Sequence, residues 1–272
     1  MTAVFKKGIT MTDEIRYACV SHIGNKRTNN EDNFWCAGKC LPETNSGTDG
    51  ILTGTLPLKD HPAFAVMDGM GGESCGEQAA YLAASEFGRV YGEKKELLSR
   101  NHEELFQELC LSMNRKVVDY AVENHVRIMG STVVFLAFDG KNGYGGNLGD
   151  SRLYQLRGEE LSCLSTDHVY LKEGSRKGPL TQYLGIMEPD TELDPCPRSW
   201  ALVNRDLFLI CSDGVTDMLK EEEIREILLS SPEPEQAVEK ILSGALAAGG
   251  RDNITAIVCR LVRHGFFSFF RP

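Results

Sequence analysis

The sequence predicts an α+β fold in which β-sheets pack together and pairs of helices lie outside them. The first observation is the order of apolar periodicities, which gives strands, two helices, several short strands, two more helices and a last strand. The second is the composition of the 272 residues, 42% hydrophobic and 25% charged, which is typical of globular proteins. No internal repeat or low-complexity linker divides the chain. We therefore expect one domain over residues 1–272, with its core at about 15–261 and an apolar C-terminal tail at 262–272.

Strands are predicted where short apolar runs are bounded by turn-forming residues. The short spacing between several of these runs is typical of an antiparallel sheet. Residues 37–61 are rich in Gly, Thr, Pro and Asp, and they predict a long hairpin loop. The predicted strands span residues 15–23, 64–67, 132–138, 143–147, 152–156, 161–164, 207–211 and 254–261.

Four helices are predicted from apolar residues that recur at helical spacing. The second helix begins near Asn101, because Asn101 with Glu104 three residues later resembles a capping box. The pair Gly249 and Gly250 is expected to end the fourth helix. The first, third and fourth predicted helices span residues 76–91, 221–229 and 235–247.

Charge and cysteine content narrow the class of protein. With 29 basic and 39 acidic residues, the formal net charge is −10, which disfavours nucleic acid and anionic membranes as partners. No apolar run approaches the length of a membrane span, and we expect no signal peptide in the first residues. The nine cysteines include no Cys-x-x-Cys pair, and Cys36 and Cys40 lack the further ligands that zinc needs. We expect reduced thiols and a cytoplasmic location.

Aspartates recur beside Gly or Asn at the edges of apolar elements. Any one of them alone is typical of a turn, whereas four together suggest acids gathered at one rim of the sheet core. Like charges packed there would raise one another's pKa unless a cation is present. Hard divalent ions with oxygen ligands are the natural partners of such a group. These aspartates are Asp68, Asp150, Asp213 and Asp252.

The stretch around Asp68 predicts how one ion is held. The apolar run at residues 64–67 is expected to end at this acid and to pass through a turn into a helix. Gly69 allows the backbone to approach closely, so its carbonyl oxygen is a candidate second ligand. Two hard ions about 4 Å apart suit hydrolysis of a phosphate ester. Arg27 is a candidate to hold the phosphate, and the alternative is a solvated surface arginine.

Missing motifs exclude other phosphate chemistries. No Cys is followed six positions later by Arg, so a cysteine-phosphate mechanism lacks its loop. No Gly-x-x-x-x-Gly-Lys-Ser/Thr loop is present, which argues against an ATPase.

Eight short motifs occur in a specific order along the chain. They lie at residues 27–32, 68–72 with 76–77, 130–132, 149–152, 166–168, 180–185, 212–214 with 217, and 252–254. In this order the chain resembles the metal-dependent protein serine/threonine phosphatases of type 2C, in their compact bacterial form. The resemblance runs from about residue 15 to 261. It implies a central antiparallel β-sandwich flanked by pairs of antiparallel helices, a four-layer α-β-β-α arrangement.

The resemblance also implies a two-metal site. Asp68 would bridge two Mn²⁺ or Mg²⁺ ions, and Asp213 and Asp252 would complete the shell of one of them. The carbonyl of Gly69 would serve the other ion. Water bridging the two ions would attack phosphorus directly, with no phosphoenzyme.

Further roles follow from the same resemblance. Glu31 and Asp32 would act near the ions, in part through bound water. Asp150 with Asp213 would hold a weaker third ion. Arg27 would bind the substrate phosphate, so the expected catalytic residues are Arg27, Asp68 and Asp213.

The chain departs from the family pattern in three places. The family often has a His shortly after its first Asp-Gly as a proton donor, whereas this chain has Met70 and Glu73, so the general acid is unassigned. The segment 169–179, which corresponds to a substrate-selecting flap, is short. The loop at 37–61 is longer than usual. Substrate contacts are therefore the part that transfers least.

The leading hypothesis is a Mn²⁺- or Mg²⁺-dependent phosphatase that acts on phosphoserine and phosphothreonine in proteins. Its natural counterpart is a serine/threonine kinase, and we expect a monomer. One alternative is a non-catalytic binding or regulatory protein of the same fold. Another, a calcium-binding structural domain, lacks an EF-hand loop and leaves Arg27 unexplained.

Overall fold

A computed structural model of the protein describes residues 12–71, 75–171, 177–187 and 192–264. The strands in these residues, in chain order, are β1 (Glu14–His22), β2 (Asp32–Cys36), β3 (Leu52–Pro57), β4 (Ala63–Gly71), β5 (Met129–Ser131), β6 (Val133–Phe138), β7 (Asn142–Leu148), β8 (Arg152–Arg157), β9 (Glu160–Cys163), β10 (Val169–Leu171), β11 (Lys177–Leu180), β12 (Arg198–Ala201), β13 (Leu207–Cys211) and β14 (Ile254–Val262). The helices are α1 (Gly76–Lys94), α2 (His102–Glu123), α3 (Asp213–Thr216), α4 (Glu221–Leu229) and α5 (Pro234–Ala247).

Two antiparallel sheets form the centre of the protein. The first has the strand order β3-β1-β14-β13-β8-β9, and the second has the order β12-β7-β6-β4-β2 with β5 attached to β4. Phe34, Phe64 and Val134 of the second sheet pack against Phe208 and Ile257 of the first. This apolar layer between the sheets makes them a sandwich.

Helices cover the outer face of each sheet. Apolar residues of α1 and α2 pack on the second sheet, and those of α4 and α5 pack on the first. Successive side chains of β4 show how one strand serves two layers, because Phe64 and Val66 face the other sheet while Ala65 and Met67 face the helices. The predicted α+β sandwich with flanking helix pairs is confirmed.

The sequence predicted a long hairpin loop over residues 37–61, but part of this segment is a strand. Residues 52–57 form β3, which pairs with β1 so that Leu52 lies opposite Cys19 and Leu56 lies opposite Ile15. Leu52 and Leu56 pack against the layer between the sheets. Because β3 is an edge strand with a single neighbour, its Thr- and Gly-containing sequence lacks the long apolar run of a central strand.

The predicted end of the strand at residue 67 is also wrong. β4 continues through Asp68 to Gly71, where Gly69 pairs with Ser131 and Gly71 pairs with Met129 of β5. The backbone bonds to β5 stabilise this glycine-containing continuation. Asp68 therefore lies inside a strand, where its position is more rigid than in a turn.

Other expectations are confirmed or lie outside the described residues. Asn101 caps α2, since its side chain accepts a hydrogen bond from the backbone N–H of Glu104 at 3.3 Å. Within the described part of segment 169–179, β10 and β11 form a short hairpin. All nine cysteines are free thiols. Glu73 and the phenylalanines of the C-terminal tail lie outside the described residues.

A helix that crosses a membrane must be both long and apolar. Within the ranges that the structure describes, no helix is long and apolar enough to cross a bilayer.

Candidate metal centre and active site

Two aspartates face each other where the sheets meet at one end of the sandwich. Asp32 is the first residue of β2 and lies directly opposite Asp68 of β4 in the antiparallel pair. Phe34 and Cys36, which alternate with Asp32 along β2, face the other sheet. Because side chains alternate in a strand, Asp32 and Asp68 project from the same face, toward the first sheet.

The first sheet contributes to the same place from its own strand ends. The hydroxyl of Ser212, which follows β13, donates a hydrogen bond to Oδ2 of Asp32 at 2.7 Å. Asp213 is the next residue and begins α3. Asp252 lies just before β14. The acids from both sheets therefore gather at one rim, and we call Glu31, Asp32, Asp68, Asp150, Asp213 and Asp252 the carboxylate rim.

Ser131 of β5 and the next residue, Thr132, hold Asp68 by its backbone. The N–H of Asp68 donates to Oγ1 of Thr132 at 3.1 Å, and the N–H of Thr132 donates to the carbonyl of Asp68 at 2.8 Å. The hydroxyl of Ser131 also donates to that carbonyl at 3.2 Å. The motif at residues 130–132 thus positions the central acid of the rim.

Close backbone approach explains the glycine that follows Asp68. The N–H of Gly69 donates to the carbonyl of Glu31 at 3.0 Å. A Cβ on Gly69 would collide with the carbonyl oxygens of Gly76 and Glu31. Only glycine therefore allows α1 and the segment before β2 to come this close.

Asn253 fixes the segment that carries Arg27 and Glu31. Its side-chain carbonyl accepts from the N–H of Glu31 at 2.8 Å, and its amide donates to the carbonyls of Ile23 and Asn29 at 2.9 Å each. The sequence analysis placed Asn253 in a motif but gave it no role. The available sequence signal was that Asn253 is a polar residue next to Asp252, which is a predicted metal ligand.

Arg27 lies at the exposed side of the rim. Its Nη2 donates to Oδ2 of Asp252 at 2.8 Å, with half of the Arg27 side chain exposed to solvent. This hydrogen bond raises the pKa of Arg27 above its ordinary value. Arg27 is thus anchored beside the acids with donors still available for an anionic ligand.

A second group of contacts holds the turn that carries Asp150. The guanidinium of Arg152 donates to both carboxylate oxygens of Asp167, at 3.0 Å from Nε and 2.7 Å from Nη2. The N–H of Gly149 donates to Nδ1 of His168 at 3.1 Å. The motifs at residues 149–152 and 166–168 therefore form one structural unit next to the rim.

Burial and like charge make the rim unfavourable for bare carboxylates. Burial raises the pKa of Asp32 to about 7, although the hydrogen bond from Ser212 opposes the shift. Burial, together with the charges of Asp32 and Asp213, raises the pKa of Asp68 well above its ordinary value. Burial also raises the pKa of Glu31, against the effect of Arg27.

This donor set fits hard divalent cations. All the side-chain donors of the rim are carboxylate oxygens, and a dication would stabilise their ionised forms. In the residues that the structure describes, no three His, Cys, Asp or Glu side chains converge tightly enough to hold an ion alone. Bound ions would thus take part of their shell from water and from backbone carbonyls such as that of Gly69.

The structure brings the predicted site residues together but does not test their roles as ligands, which stay predictions. It also adds an acid to which the sequence analysis gave no role. Glu77 lies near Glu31, whose pKa its charge raises, and its Oε2 is buried without a hydrogen-bond partner among the described residues. The signal for Glu77 was its place in the motif at residues 76–77.

Comparison with known proteins places this geometry in a family. The family model described as protein phosphatase 2C matches residues 54–247. The serine/threonine phosphatase Stp of Listeria innocua is 31% identical over 225 residues, which cover 75% of this chain and 87% of Stp. The protein phosphatase PhpP of Streptococcus pneumoniae is 28% identical over 247 residues, covering 87% of this chain and 93% of PhpP.

Solved structures with a fold similar to that of this chain support the same family. The catalytic domain of the serine/threonine protein phosphatase PstP, in complex with two manganese ions, is 25% identical with a TM-score of 0.72 and covers 93% of this chain and 100% of that chain. PppA, described as a key regulatory component of the T6SS in Pseudomonas aeruginosa, is 29% identical with a TM-score of 0.71 and covers 91% of this chain and 97% of that chain. The chain belongs to the protein phosphatase 2C family, and the predicted enzyme class, a protein phosphatase, is confirmed.

Proposed function

We propose that the protein hydrolyses phosphoserine and phosphothreonine in other proteins, with two Mn²⁺ or Mg²⁺ ions held at the carboxylate rim. The observation that carries this proposal is a facing pair of acids, the buried Asp32 and the half-buried Asp68, whose pKa values are both raised by loss of solvent. Such a pair is costly to ionise unless a cation binds it. The structure of PstP with two manganese ions supports a site for two ions.

The residues divide between the ions as follows. Asp68 would contact both, Asp213 and Asp252 would complete one shell, and the Gly69 carbonyl would serve the other. When bound, the ions would activate a water molecule for attack and neutralise the charge of the phosphoryl oxygens.

Three other acids act around these ions. Glu31 and Asp32 would contribute in part through bound water, and Asp150 with Asp213 would hold a weaker third ion. The hydroxyl of Ser212 orients Asp32 by its hydrogen bond of 2.7 Å. Because Ser212 and Asp32 come from different sheets, this bond also holds the two sides of the rim in register.

Arg27 binds the substrate phosphate in this proposal. Its bond to Asp252 keeps the guanidinium at the rim before substrate arrives, which reduces the entropy lost on binding. A guanidinium also offers paired donors that match the oxygens of a phosphate.

The wider setting is also part of the proposal. The enzyme acts as a monomeric single domain in the cytoplasm and opposes a serine/threonine kinase, with phosphorylated proteins as its partners. The relatives Stp and PhpP, which are phosphatases by name, support phosphoprotein substrates.

The test is release of phosphate from a phosphothreonine peptide by the purified protein. We expect turnover with Mn²⁺ or Mg²⁺ and none after chelation, while circular dichroism shows that the fold persists. Turnover that continues in chelator would contradict the metal-dependent mechanism. No turnover with either ion would favour the non-catalytic alternative instead.

A further inference from the structure

A groove with a volume of about 400 Å³, most of whose lining residues are apolar, lies next to the carboxylate rim. Its floor and walls come from the end of β4, from the chain around β5 and from the segment 181–187. None of these residues has a role in the chemistry proposed above. The lining includes Met70, Arg127, Ile128, Met129, Tyr183 and Met187.

The groove and the rim share one strand. Asp68 and Met70 are two residues apart in β4, so their side chains leave the same face of the strand, with Cα atoms about 7 Å apart. Met70 pairs with Gly130 of β5. A ligand phosphate held at the rim would therefore place its neighbouring atoms at the entrance of the groove.

Backbone hydrogen bonds fix the far wall. The N–H of Ser131 donates to the carbonyl of Leu184 at 3.0 Å, and the N–H of Leu184 donates back to Ser131 at 2.8 Å. The N–H of Gly185 donates to the side chain of Asn114 on α2 at 2.7 Å. The segment is thus held on two sides, so the groove is formed before any ligand binds.

The exposure of the lining residues distinguishes the groove from ordinary surface. Ile128 is 72% exposed and Met187 is 46% exposed, while Met129 beneath them is buried. Apolar side chains that cluster in a groove rather than scatter are typical of an interaction site. Methionine side chains adapt to differently shaped partners.

One positively charged side chain lies at the edge of the groove. Arg127 is exposed at its edge, and within the described ranges no carboxylate forms an ion pair with it. In a protein with a net charge of −10, a cation of this kind favours an acidic ligand group.

We propose that this groove binds the substrate segment beside the phosphorylated residue and selects an apolar side chain two to four residues away, together with an acidic residue. This inference rests on the proposed function. The continuity of β4 identifies the occupant, because a peptide whose phosphate lies at the rim extends across the groove. An extended peptide advances about 3.3 Å per residue, so two residues cover the roughly 7 Å from Asp68 to Met70 at the groove entrance, and two more reach further into the groove.

The test measures kcat/KM in Mn²⁺ for a set of phosphothreonine peptides. The parent peptide has only Gly, Ser and Asn around the phosphothreonine, and each other peptide has one Leu at a position from −4 to −2 or from +2 to +4. The enzymes are the wild type, Ile128→Ser, Met187→Ser and the control Val203→Ser. Val203 is also an exposed apolar residue, 48% exposed, but it lies before β13 and outside the groove. The reference substrate is p-nitrophenyl phosphate, which has no peptide to bind.

We expect Leu in at least one position to raise kcat/KM of the wild type about tenfold, the effect of burying part of a leucine side chain. Ile128→Ser and Met187→Ser should reduce this preference to about twofold, with p-nitrophenyl phosphate turnover unchanged. Val203→Ser should keep the full preference. A Glu beside the favoured Leu should add about threefold in the wild type and nothing in Arg127→Gln.

Three outcomes would overturn the proposal. The first is equal turnover of all peptides by the wild type. The second is an equal loss on peptides and on p-nitrophenyl phosphate in the two groove variants. The third is a wild-type dimer by sedimentation that these variants dissociate, because the groove would then bind a second copy of the chain. Failure of the proposed function looks different, since the wild type would then turn over neither p-nitrophenyl phosphate nor any peptide.

Discussion

Buried carboxylates occur in two kinds of surroundings in this protein. At the turn between β6 and β7, the carboxylate of Asp139 accepts hydrogen bonds from the N–H groups of Lys141 and Asn142 and from the hydroxyls of Tyr144 and Ser99. Burial alone would raise the pKa of Asp139, but these bonds outweigh it, and the pKa is lowered. Donors supplied by the protein satisfy this charge.

Asp206 is a second example of the same kind. It is 1% exposed, and its oxygens accept from Arg157 at 2.9 and 2.7 Å, from Gln155 at 3.2 Å and from the N–H of Val203 at 2.9 Å. This network joins β8 to the turn before β13. Its geometry is that of a structural ion pair.

At the carboxylate rim, by contrast, the charged neighbours of the buried Asp32 and the half-buried Asp68 are other acids. Asp32 and Asp68 lie opposite each other, and burial raises the pKa of both. The comparison teaches that burial alone does not mark a functional carboxylate. A functional carboxylate is indicated when the neighbours of a carboxylate destabilise its negative charge, because a bound ligand must then stabilise it.

The largest expected effect separates the two groups by activity. Asp213→Asn should lower kcat about a thousandfold, because an ion loses a charged ligand. Asp206→Asn should leave kcat within about twofold of the wild type but lower the free energy of unfolding by about 1–3 kcal/mol. Peptide turnover and urea unfolding of both variants check this prediction. Near wild-type turnover in Asp213→Asn would remove Asp213 from the site.

The next effect is a pH dependence of stability in chelator. The folded pKa of Asp32 is about 7, above its ordinary value of 3.8, so the unfolded chain loses this proton first as pH rises. The raised pKa therefore costs about 2–4 kcal/mol of stability, which is lost progressively between about pH 4 and 7. Asp139 has the opposite sign, because its lowered pKa adds stability that disappears as pH falls through its folded pKa.

Urea titrations at several pH values, with chelator and with Mn²⁺, measure this effect. Bound Mn²⁺ should remove most of the loss at neutral pH by stabilising the ionised acids. Asp32→Asn should flatten the chelated curve above pH 4. A wild-type curve that is already flat in chelator would contradict the assignment of a raised pKa to Asp32.

A smaller effect distinguishes single substitutions at constant pH. In chelator at pH 7, Asp68→Asn should raise the free energy of unfolding by about 1 kcal/mol, because Asn is neutral without taking up a proton and so removes the cost of placing a carboxyl group at the repulsive rim. Asp139→Asn should lower it by about 1–3 kcal/mol, because donors lose their acceptor. Differential scanning calorimetry of the two variants tests the contrast. Destabilisation of the same size in both would mean that Asp68, like Asp139, is stabilised by the protein alone.

The smallest expected effect is a change in KM, which should distinguish Arg27 from Arg157. Arg27→Ala should raise KM for a phosphopeptide about tenfold with kcat nearly unchanged, because a charged hydrogen bond to the phosphate is lost. Arg157→Ala should leave KM unchanged and reduce stability. Steady-state kinetics at saturating Mn²⁺ measure both. An unchanged KM in Arg27→Ala would restrict Arg27 to its contact with Asp252.

Local patterns predicted much of this molecule. Apolar runs and helical spacing located the central strands and the four longer helices, because a buried central element needs an apolar side chain at each inward position. The recurrence of Asp beside Gly or Asn identified Asp68, Asp150, Asp213 and Asp252 as a group. Edge elements were missed or misplaced, as with β3, β12 and the continuation of β4 to Gly71, because their stability comes from pairing with a distant strand.

The residue types needed for the chemistry are thus visible in the chain itself, and so is the order of its main elements. Their mutual placement is not. Ser212 and Asp32 are 180 positions apart, yet one hydrogen bond joins them, and Asp32 faces Asp68 only because β2 and β4 pair in one register. The groove beside the rim likewise requires β4, β5 and the segment 181–187 to come together. Contacts of this kind depend on which strands pair and how the sheets pack. The periodicity of apolar residues along the sequence predicts neither.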